Sequence, residues 1–77
     1  PIDLIKIDKS FIHKMLHDEA TWKLVRSMIT LAHNLKLAVV AEGVETQAQV
    51  DWLKAFGCDM IHGSYIAHPT RMEEYER

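Results

Sequence analysis

Short apolar segments alternate with amphipathic helical segments along the 77-residue chain. The pattern predicts one strand within Pro1–Asp8, a second at Leu37–Ala41 and a third at Asp59–His62, each followed by helical sequence. Such alternation is typical of parallel strands joined by right-handed helical crossovers. The predicted fold class is therefore α/β, with about three strand–helix units of the kind that build a partial (β/α)8, TIM-like barrel.

Capping patterns set the predicted bounds of the helices. Asp18 precedes an amphipathic helix that should end near Asn34–Lys36. Thr46 and Gln49 have the spacing of a capping box, before a helix that Gly57 stops. The other predictions are a short turn capped by Ser10 and running to Met15, a loop over Gly63–Pro69, and a final helix from about Arg71 opened by Thr70 and Glu73.

The chain is too short for a complete barrel, which takes about 250 residues. It begins with proline rather than methionine, and we expect it to be cut from something longer. Three parallel strands leave unpaired backbone groups at the edges of their sheet. We therefore expect those edges to be covered either by the remaining barrel strands or by self-association.

Composition excludes several classes of protein. The net charge is −2, from 9 Lys+Arg and 11 Asp+Glu, which is too weak a field to hold a DNA or RNA polymer by charge alone. The single cysteine, Cys58, allows neither an internal disulfide nor a CxxC zinc site. No apolar run approaches the roughly 20 residues of a membrane span. These features predict a cytoplasmic location, and they leave open whether another domain attaches a parent protein to a membrane.

Polar side chains follow each predicted strand. They are Lys6 and Asp8, then Glu42 and Glu45, then His62. The carboxyl ends of parallel strands meet at one rim, where (β/α)8 enzymes collect their catalytic groups. Glu42 follows four apolar residues, so burying its carboxylate without a cation or hydrogen-bond donors would be costly. A metal ion or a lysine would remove that cost.

Each of these residues also has a structural interpretation. A carboxylate such as Glu45 is favoured near a helix N-terminus by the helix dipole. Lys6 could form a salt bridge with Asp8 or with a neighbouring strand, and a lone histidine such as His62 is often a packed core residue. Asp8 fits a structural role better than a catalytic one.

Other polar and aromatic residues give weaker signals. His13 and His17 have the spacing of zinc-binding histidines on a helix, but the glutamate that such a helix needs is absent. We therefore do not predict a metal site there. We predict packing roles for Trp22 and Trp52, a buried position for Cys58, and solvent-facing positions for His33 and His68.

Three segments resemble the motifs of one bacterial family in the same order. Pro1–Phe11 resembles P-V-D-x-L-K-I-D-x-S-F, and Ala41–Gln49 resembles A-E-G-V-E-T-x-x-Q. Gly57–Ser64, with Pro69 beyond it, resembles G-C-D-x-x-Q-G-Y followed by a proline. Together the segments resemble the carboxyl-terminal third of an EAL domain, the phosphodiesterase domain that hydrolyses cyclic di-GMP.

The resemblance implies a modified TIM barrel in which residues 1–77 supply the last strands and helices. It also implies Mg²⁺ or Mn²⁺ as cofactor, cyclic di-GMP as ligand, and attack by a metal-activated water that yields linear pGpG. By position, Lys6 would lie beside the attacking water or the phosphate, and Glu42 would be both a catalytic and a metal-binding residue. Glu45 and His62 would contact the substrate.

The chain also departs from the family pattern. His62 replaces the usual glutamine, Ser64 a tyrosine, and Lys36 a helix-ending glycine. The glutamate of the E-A-L motif, the asparagine and glutamate ligands and the paired aspartates belong upstream of Pro1. Without those oxygen ligands, we predict that the isolated chain does not hydrolyse cyclic di-GMP. The alternative is a degenerate EAL-like module that binds cyclic di-GMP or a protein partner without catalysis.

Overall fold

A computed structural model describes residues 3–64 and 66–75 of the chain. Its elements are β1 (Leu4–Ile7), α1 (Lys9–Lys14), α2 (Glu19–Asn34), β2 (Ala38–Val44), α3 (Gln47–Ala55), β3 (Met60–Gly63), β4 (Ile66–Arg71) and a 3-10 helix (Met72–Glu74). The predictions for the first strand, the loop and the last helix also include Pro1, Ile2, Tyr65, Glu76 and Arg77, which lie outside the described residues. Among the described helices, none combines the length and the hydrophobicity needed to cross a membrane.

The four strands form one sheet in the order β1–β2–β3–β4. As predicted, β1, β2 and β3 run parallel, whereas β4 runs antiparallel to β3. In the register of the sheet, Lys6 lies opposite Val40, and Val40 lies opposite Met60. Because side chains alternate along a strand, Lys6, Val40, Glu42 and His62 share one face of the sheet, which we call the open face.

The opposite face of the sheet is covered by helices. There Ile7, Val39, Ala41 and Ile61 form one core with Val25, Ile29 and Ala32 of α2 and with Val50 and Leu53 of α3. Each of these side chains is at most 4% exposed. Burying one valine, leucine or isoleucine stabilises a fold by roughly 1.5–3 kcal/mol. This core therefore fixes which strand residues point away from the helices, onto the open face.

Two helix ends follow the capping predictions. The Asp18 carboxylate caps α2 and accepts the backbone N–H of Thr21 at 3.1 Å. The pKa of Asp18 is lowered, mainly because its carboxylate also accepts the hydroxyl of Thr21. The predicted capping box of Thr46 and Gln49 is present at the start of α3. After α2, Lys36 takes a positive φ of 65°, the conformation that glycine favours at a helix end.

The first short helix is capped by a different residue from the one predicted. Asp8, not Ser10, is the N-cap of α1, and its carboxylate accepts the Ser10 hydroxyl at 2.7 Å and the Ser10 N–H at 3.0 Å. These bonds, above all the one from the hydroxyl, lower the pKa of Asp8. An extended residue just before a helix is placed to satisfy the free N–H groups of its first turn. The structural role predicted for Asp8 is therefore confirmed.

The second strand is longer than predicted. It begins at Ala38 and continues to Val44, so Glu42 lies within the strand rather than after it. The pairing of β2 with β3 is irregular between Ala41 and Val44, where a bulge interrupts the ladder. The bulge allows β2 to continue past its predicted end and still pair with β3.

The end of the chain differs most from the prediction. The loop over 63–69 and the helix from Arg71 are both wrong, because β4 runs through Arg71 and, up to the last described residue, Tyr75, only the 3-10 helix follows. Thr70 donates its hydroxyl to the carbonyl of His68 at 3.0 Å instead of capping a helix. Pairing with β3 therefore outweighs the local capping pattern. Pro69, which lacks an N–H, is tolerated because β4 is an edge strand.

Two different flanks border the buried face of α2. On one flank, Trp22 packs against Trp52 of α3 and against Phe56, with ring centroids 6.1 Å apart, which confirms the packing roles predicted for both tryptophans. The other flank lies about 150° around the helix, at the usual 3.6 residues per turn. It exposes three large apolar side chains, which we call the leucine flank: Leu24, Leu31 and Leu35.

Candidate active site

Glu42 and Gly43 form the bulge at the carboxyl end of β2. Ala41 lies opposite Ile61, and Val44 lies opposite Gly63, so Glu42 and Gly43 together face a single residue of β3. Gly43 has a positive φ of 72°, which side chains disfavour. Bulges redirect side chains and are frequent next to active sites.

The carboxylate of Glu42 lies beside the imidazole of His62. Glu42 Oε2 is 3.7 Å from His62 Nδ1, and the two side chains are 33% and 37% exposed. His62 is therefore not a fully packed core residue. It lies on β3, next to Glu42 on β2, and both side chains are exposed enough for a bound ligand to contact them.

Lys6 lies on the open face of the neighbouring strand β1. It is exposed, and among the residues that the structure describes it makes no ion pair. Asp8, the partner in the salt-bridge interpretation, instead caps α1. In the register of the sheet, Lys6 lies opposite Val40, which is two residues before Glu42 in β2. The structure thus brings Lys6, Glu42 and His62 to one face of three adjacent strands.

Glu45 follows the end of β2 and makes different contacts from Glu42. Its backbone N–H donates to Gln49 Oε1 at 2.6 Å, and its carboxylate Oε1 lies 3.4 Å from His13 Nε2. The side chain of Glu45 is half exposed. Glu45 therefore sits at the same end of the sheet as Glu42 but beside α1.

His13 makes a contact that its sequence pattern does not predict. His13 Nε2 lies 2.9 Å from the carbonyl oxygen of Gly43, although the two residues are 30 positions apart in the chain. The sequence pattern suggested only the comparison with His17. A backbone acceptor on another element leaves no signal in residue spacing, so sequence reasoning alone had nothing with which to find it.

Two glycines permit the close backbone packing around the site. A Cβ atom added at Gly43 would lie 2.3 Å from Lys9 Cβ, and one added at Gly63 would lie 1.8 Å from the carbonyl oxygen of Val44. No side chain fits at such distances unless the backbone moves. Glycine at both positions therefore holds α1 and β2 close to the site, and β2 close to β3.

The residues of this chain fit one part of a divalent-metal site. Carboxylate oxygens such as those of Glu42 suit Mg²⁺ and Mn²⁺, which prefer hard oxygen ligands. Within residues 3–64 and 66–75, however, no group of three His, Cys, Asp or Glu side chains could hold a metal ion. A metal ion at Glu42 would therefore need ligands beyond the described residues.

Three further polar groups have structural roles. His33 is exposed, as predicted, and its Nε2 also lies 2.7 Å from Asp59 Oδ2. The same Asp59 oxygen accepts the backbone N–H of Val39 at 2.8 Å, so Asp59 ties the end of α2 to the start of β2. Cys58 is buried as predicted, and burial raises the pKa of its thiol to about 11. The thiol is therefore not a nucleophile at neutral pH.

Comparison with known proteins gives consistent matches. The EAL domain family matches residues 1–69. The bifunctional diguanylate cyclase/cyclic di-GMP phosphodiesterase MucR of Pseudomonas aeruginosa is 36% identical over 74 residues, covering 96% of this chain and 11% of MucR. The cyclic di-GMP phosphodiesterase PdeL of Escherichia coli is 41% identical over 70 residues, covering 91% of this chain and 19% of PdeL.

A solved structure extends the match to three dimensions. The PaMucR phosphodiesterase, in complex with c-di-GMP, superposes with a TM-score of 0.80 at 36% identity, covering 96% of this chain and 30% of that one. Parallel strands under helices, with polar groups at the strand ends, define part of an α/β barrel. The chain belongs to the EAL domain family, whose phosphodiesterases depend on metal ions.

Proposed function

We propose that residues 1–77 form the carboxyl-terminal part of an EAL domain, and that the complete domain hydrolyses cyclic di-GMP to linear pGpG. The observation that carries the proposal is the placement of Lys6, Glu42 and His62 on one face of three adjacent strands. The named activity of MucR and PdeL supports the same reaction. Below, "complete domain" means a protein that carries this sequence within an entire EAL domain.

Each residue has a role that its position supports. Glu42 offers a carboxylate oxygen to a divalent cation, Mg²⁺ or Mn²⁺, which when bound would activate water and offset negative charge on the phosphate. Lys6, with no partner among the described residues, offers an ammonium group to the phosphodiester. Glu45 and His62 lie at the same end of the sheet and would contact the nucleotide. The proposed ligand is a small nucleotide rather than a DNA or RNA polymer.

This chain alone supplies too little of the site for catalysis. Among the described residues, Glu42 is the one carboxylate of a strand on the open face. Mg²⁺ needs near-octahedral oxygen coordination, so most ligands must come from the rest of the barrel. We therefore propose that the isolated chain is inactive. The lone buried thiol of Cys58 supports a reducing, cytoplasmic compartment.

The test is the Glu42→Gln variant of the complete domain, assayed for pGpG formation with Mg²⁺ or Mn²⁺. The amide keeps the shape of the side chain but removes its charge, so we expect turnover to fall by at least about 100-fold, because metal-based charge stabilisation is worth several kcal/mol. Glu74→Gln, in the exposed 3-10 helix, is the matched control and should leave turnover unchanged. Full activity in Glu42→Gln would remove Glu42 from the mechanism.

The second candidate function is binding of cyclic di-GMP, or of a protein partner, without catalysis. The observation that favours it is His62, which stands at the site where the family motif has glutamine, with its ring 3.7 Å from Glu42. Calorimetric titration of the complete domain with cyclic di-GMP separates the two functions. Saturable binding with no pGpG in the presence of metal would favour this second function.

A further inference from the structure

His13 links the first helix to the bulge that carries Glu42. The contact is 2.9 Å long, partly buried, and joins α1 to β2 across 30 residues of sequence. A carbonyl oxygen only accepts hydrogen bonds, so His13 Nε2 must carry the hydrogen and donate it to Gly43. The structure thereby assigns the Nε2–H form of the ring, whatever the state of Nδ1.

The bulge interrupts the regular pairing of β2 with β3 at Glu42 and Gly43. The extra residue of a bulge is left unpaired by the strand ladder. At Gly43 the backbone also has a positive φ, and its peptide joins directly to Glu42. A hydrogen bond from outside the sheet therefore fixes the orientation of the Gly43–Val44 peptide, which begins one residue after Glu42.

The same imidazole also borders the second glutamate of the motif. Glu45 Oε1 lies 3.4 Å from the nitrogen that donates to Gly43. On the far side, Gln49 accepts the N–H groups of Glu45 at 2.6 Å and of Thr46 at 3.1 Å. The segment between Glu42 and Glu45 is thus held by α1 on one side and by α3 on the other.

We infer that His13 is a positioning residue for Glu42 and Glu45. It would set the direction of both carboxylates through the Gly43 carbonyl and through its contact with Glu45, without itself contacting the nucleotide. The inference rests on the proposed function, since it assigns a role in that same reaction. It follows from the two contacts of His13 Nε2, with the Gly43 carbonyl and with the Glu45 carboxylate, and from the bulge that includes Gly43.

The kinetic test compares three variants of the complete domain. His13→Ala removes the donor, His13→Gln retains a side-chain N–H, and His17→Ala is the matched control on an exposed histidine of the same segment. Loss of an outer-shell partner typically costs 10–100-fold, so we expect kcat for cyclic di-GMP to fall by about 10-fold or more in His13→Ala. KM should change little, His13→Gln should recover most of kcat, and His17→Ala should match the wild type.

A general loss of structure would give a different pattern. It would lower the melting temperature and would not be rescued by glutamine at position 13. The inference is overturned if kcat of His13→Ala stays within about twofold of the wild type, well below the losses typical of such partners. It is equally overturned if His13→Gln loses as much activity as His13→Ala.

Two measurements test His13 independently of catalysis. Long-range ¹⁵N–¹H correlation spectra of the wild-type complete domain should show hydrogen on His13 Nε2, and a ring protonated only on Nδ1 would overturn the inference, even if His13→Ala fails to fold. Amide hydrogen exchange at Val44 and Glu45 should be faster in His13→Ala than in His17→Ala. If the wild type makes no pGpG, the proposed function fails, while these two measurements still decide whether His13 holds the bulge.

Discussion

Gly43 meets two separate constraints at the scale of a single residue. Its φ is 72°, and a Cβ atom there would lie 2.3 Å from Lys9 Cβ. Gly57 has a similar φ of 85°, but the nearest atom to an added Cβ is His33 Cε1 at 4.0 Å. The two glycines therefore differ in steric contact while sharing a backbone conformation.

Alanine at these two positions separates the constraints. Gly57→Ala should lower the free energy of unfolding by about 1–2 kcal/mol, the usual cost of a left-handed alanine. Gly43→Ala should cost clearly more, because the methyl group would also push α1 away from β2. Urea unfolding of the complete domain measures both. Equal losses would mean that the contact with Lys9 relaxes without cost.

The chemistry of individual residues was only partly predictable from the sequence. The rule that polar groups at barrel-strand ends gather at one rim led to Lys6, Glu42 and His62, and the sheet register places them on one face. It could not lead to His13, whose acceptor is a backbone carbonyl. The functional roles of all these side chains stay predictions until the variants are assayed.

At the scale of elements, the start of α3 is set by one buried side chain. Gln49 is 5% exposed and accepts two backbone N–H groups, from Glu45 and Thr46. Thr46 completes the capping box by accepting the N–H of Gln49 at 3.2 Å. The turn between β2 and α3, just after the candidate site, is therefore fixed by hydrogen bonds that involve Gln49.

Gln49→Ala should destabilise the complete domain more than Thr46→Ala. Removing Gln49 leaves two N–H groups without their acceptor, which costs roughly 1–3 kcal/mol, whereas loss of a threonine cap costs about 1 kcal/mol. Gln47→Ala, whose side chain contacts exposed Asp51, is the control and should change stability by less than about 0.5 kcal/mol. Thermal or urea unfolding gives the ranking, and a larger loss for Thr46→Ala would contradict it.

Elements with both a local signal and a matching tertiary environment were predictable. Both α2 and α3 have a capping residue followed by apolar side chains at helical spacing, and both form as expected. The prediction of a last helix was wrong because Thr70 and Glu73 match a local capping pattern, and a local pattern does not include the pairing with β3. Backbone pairing with β3 stabilises an extended chain there, and this pairing is not visible in a local window.

At the scale of the whole molecule, two surfaces look incomplete. The sheet ends at β1, whose other edge has no neighbouring strand among the described residues. The leucine flank of α2 faces away from α3, with Leu31 and Leu35 59% and 61% exposed. In a (β/α)8 barrel, helices pack side by side around the strands, so the helix before β1 would cover this flank.

Glutamates on the leucine flank should therefore have different effects in the complete domain and in the isolated chain. In the complete domain, Leu31→Glu with Leu35→Glu should lower the melting temperature, because charges would be buried between helices. In the isolated chain, the same pair should reduce any self-association that sedimentation detects, because it removes an exposed apolar patch. Ser27→Glu with Thr30→Glu adds equal charge on the exposed side of α2 as the control. An unchanged melting temperature for the leucine pair would show that no helix covers them.

The bulge in β2 also decides what a deletion in this strand would do. Two residues of β2, Glu42 and Gly43, stand where β3 has one, and the residues on either side, Ala41 and Val44, are both buried against the helices. Deleting one of the two bulge residues would thus leave a regular ladder, with Val44 still opposite Gly63 and still on the same face. A homologous sequence that is one residue shorter at this point is therefore compatible with an unchanged core.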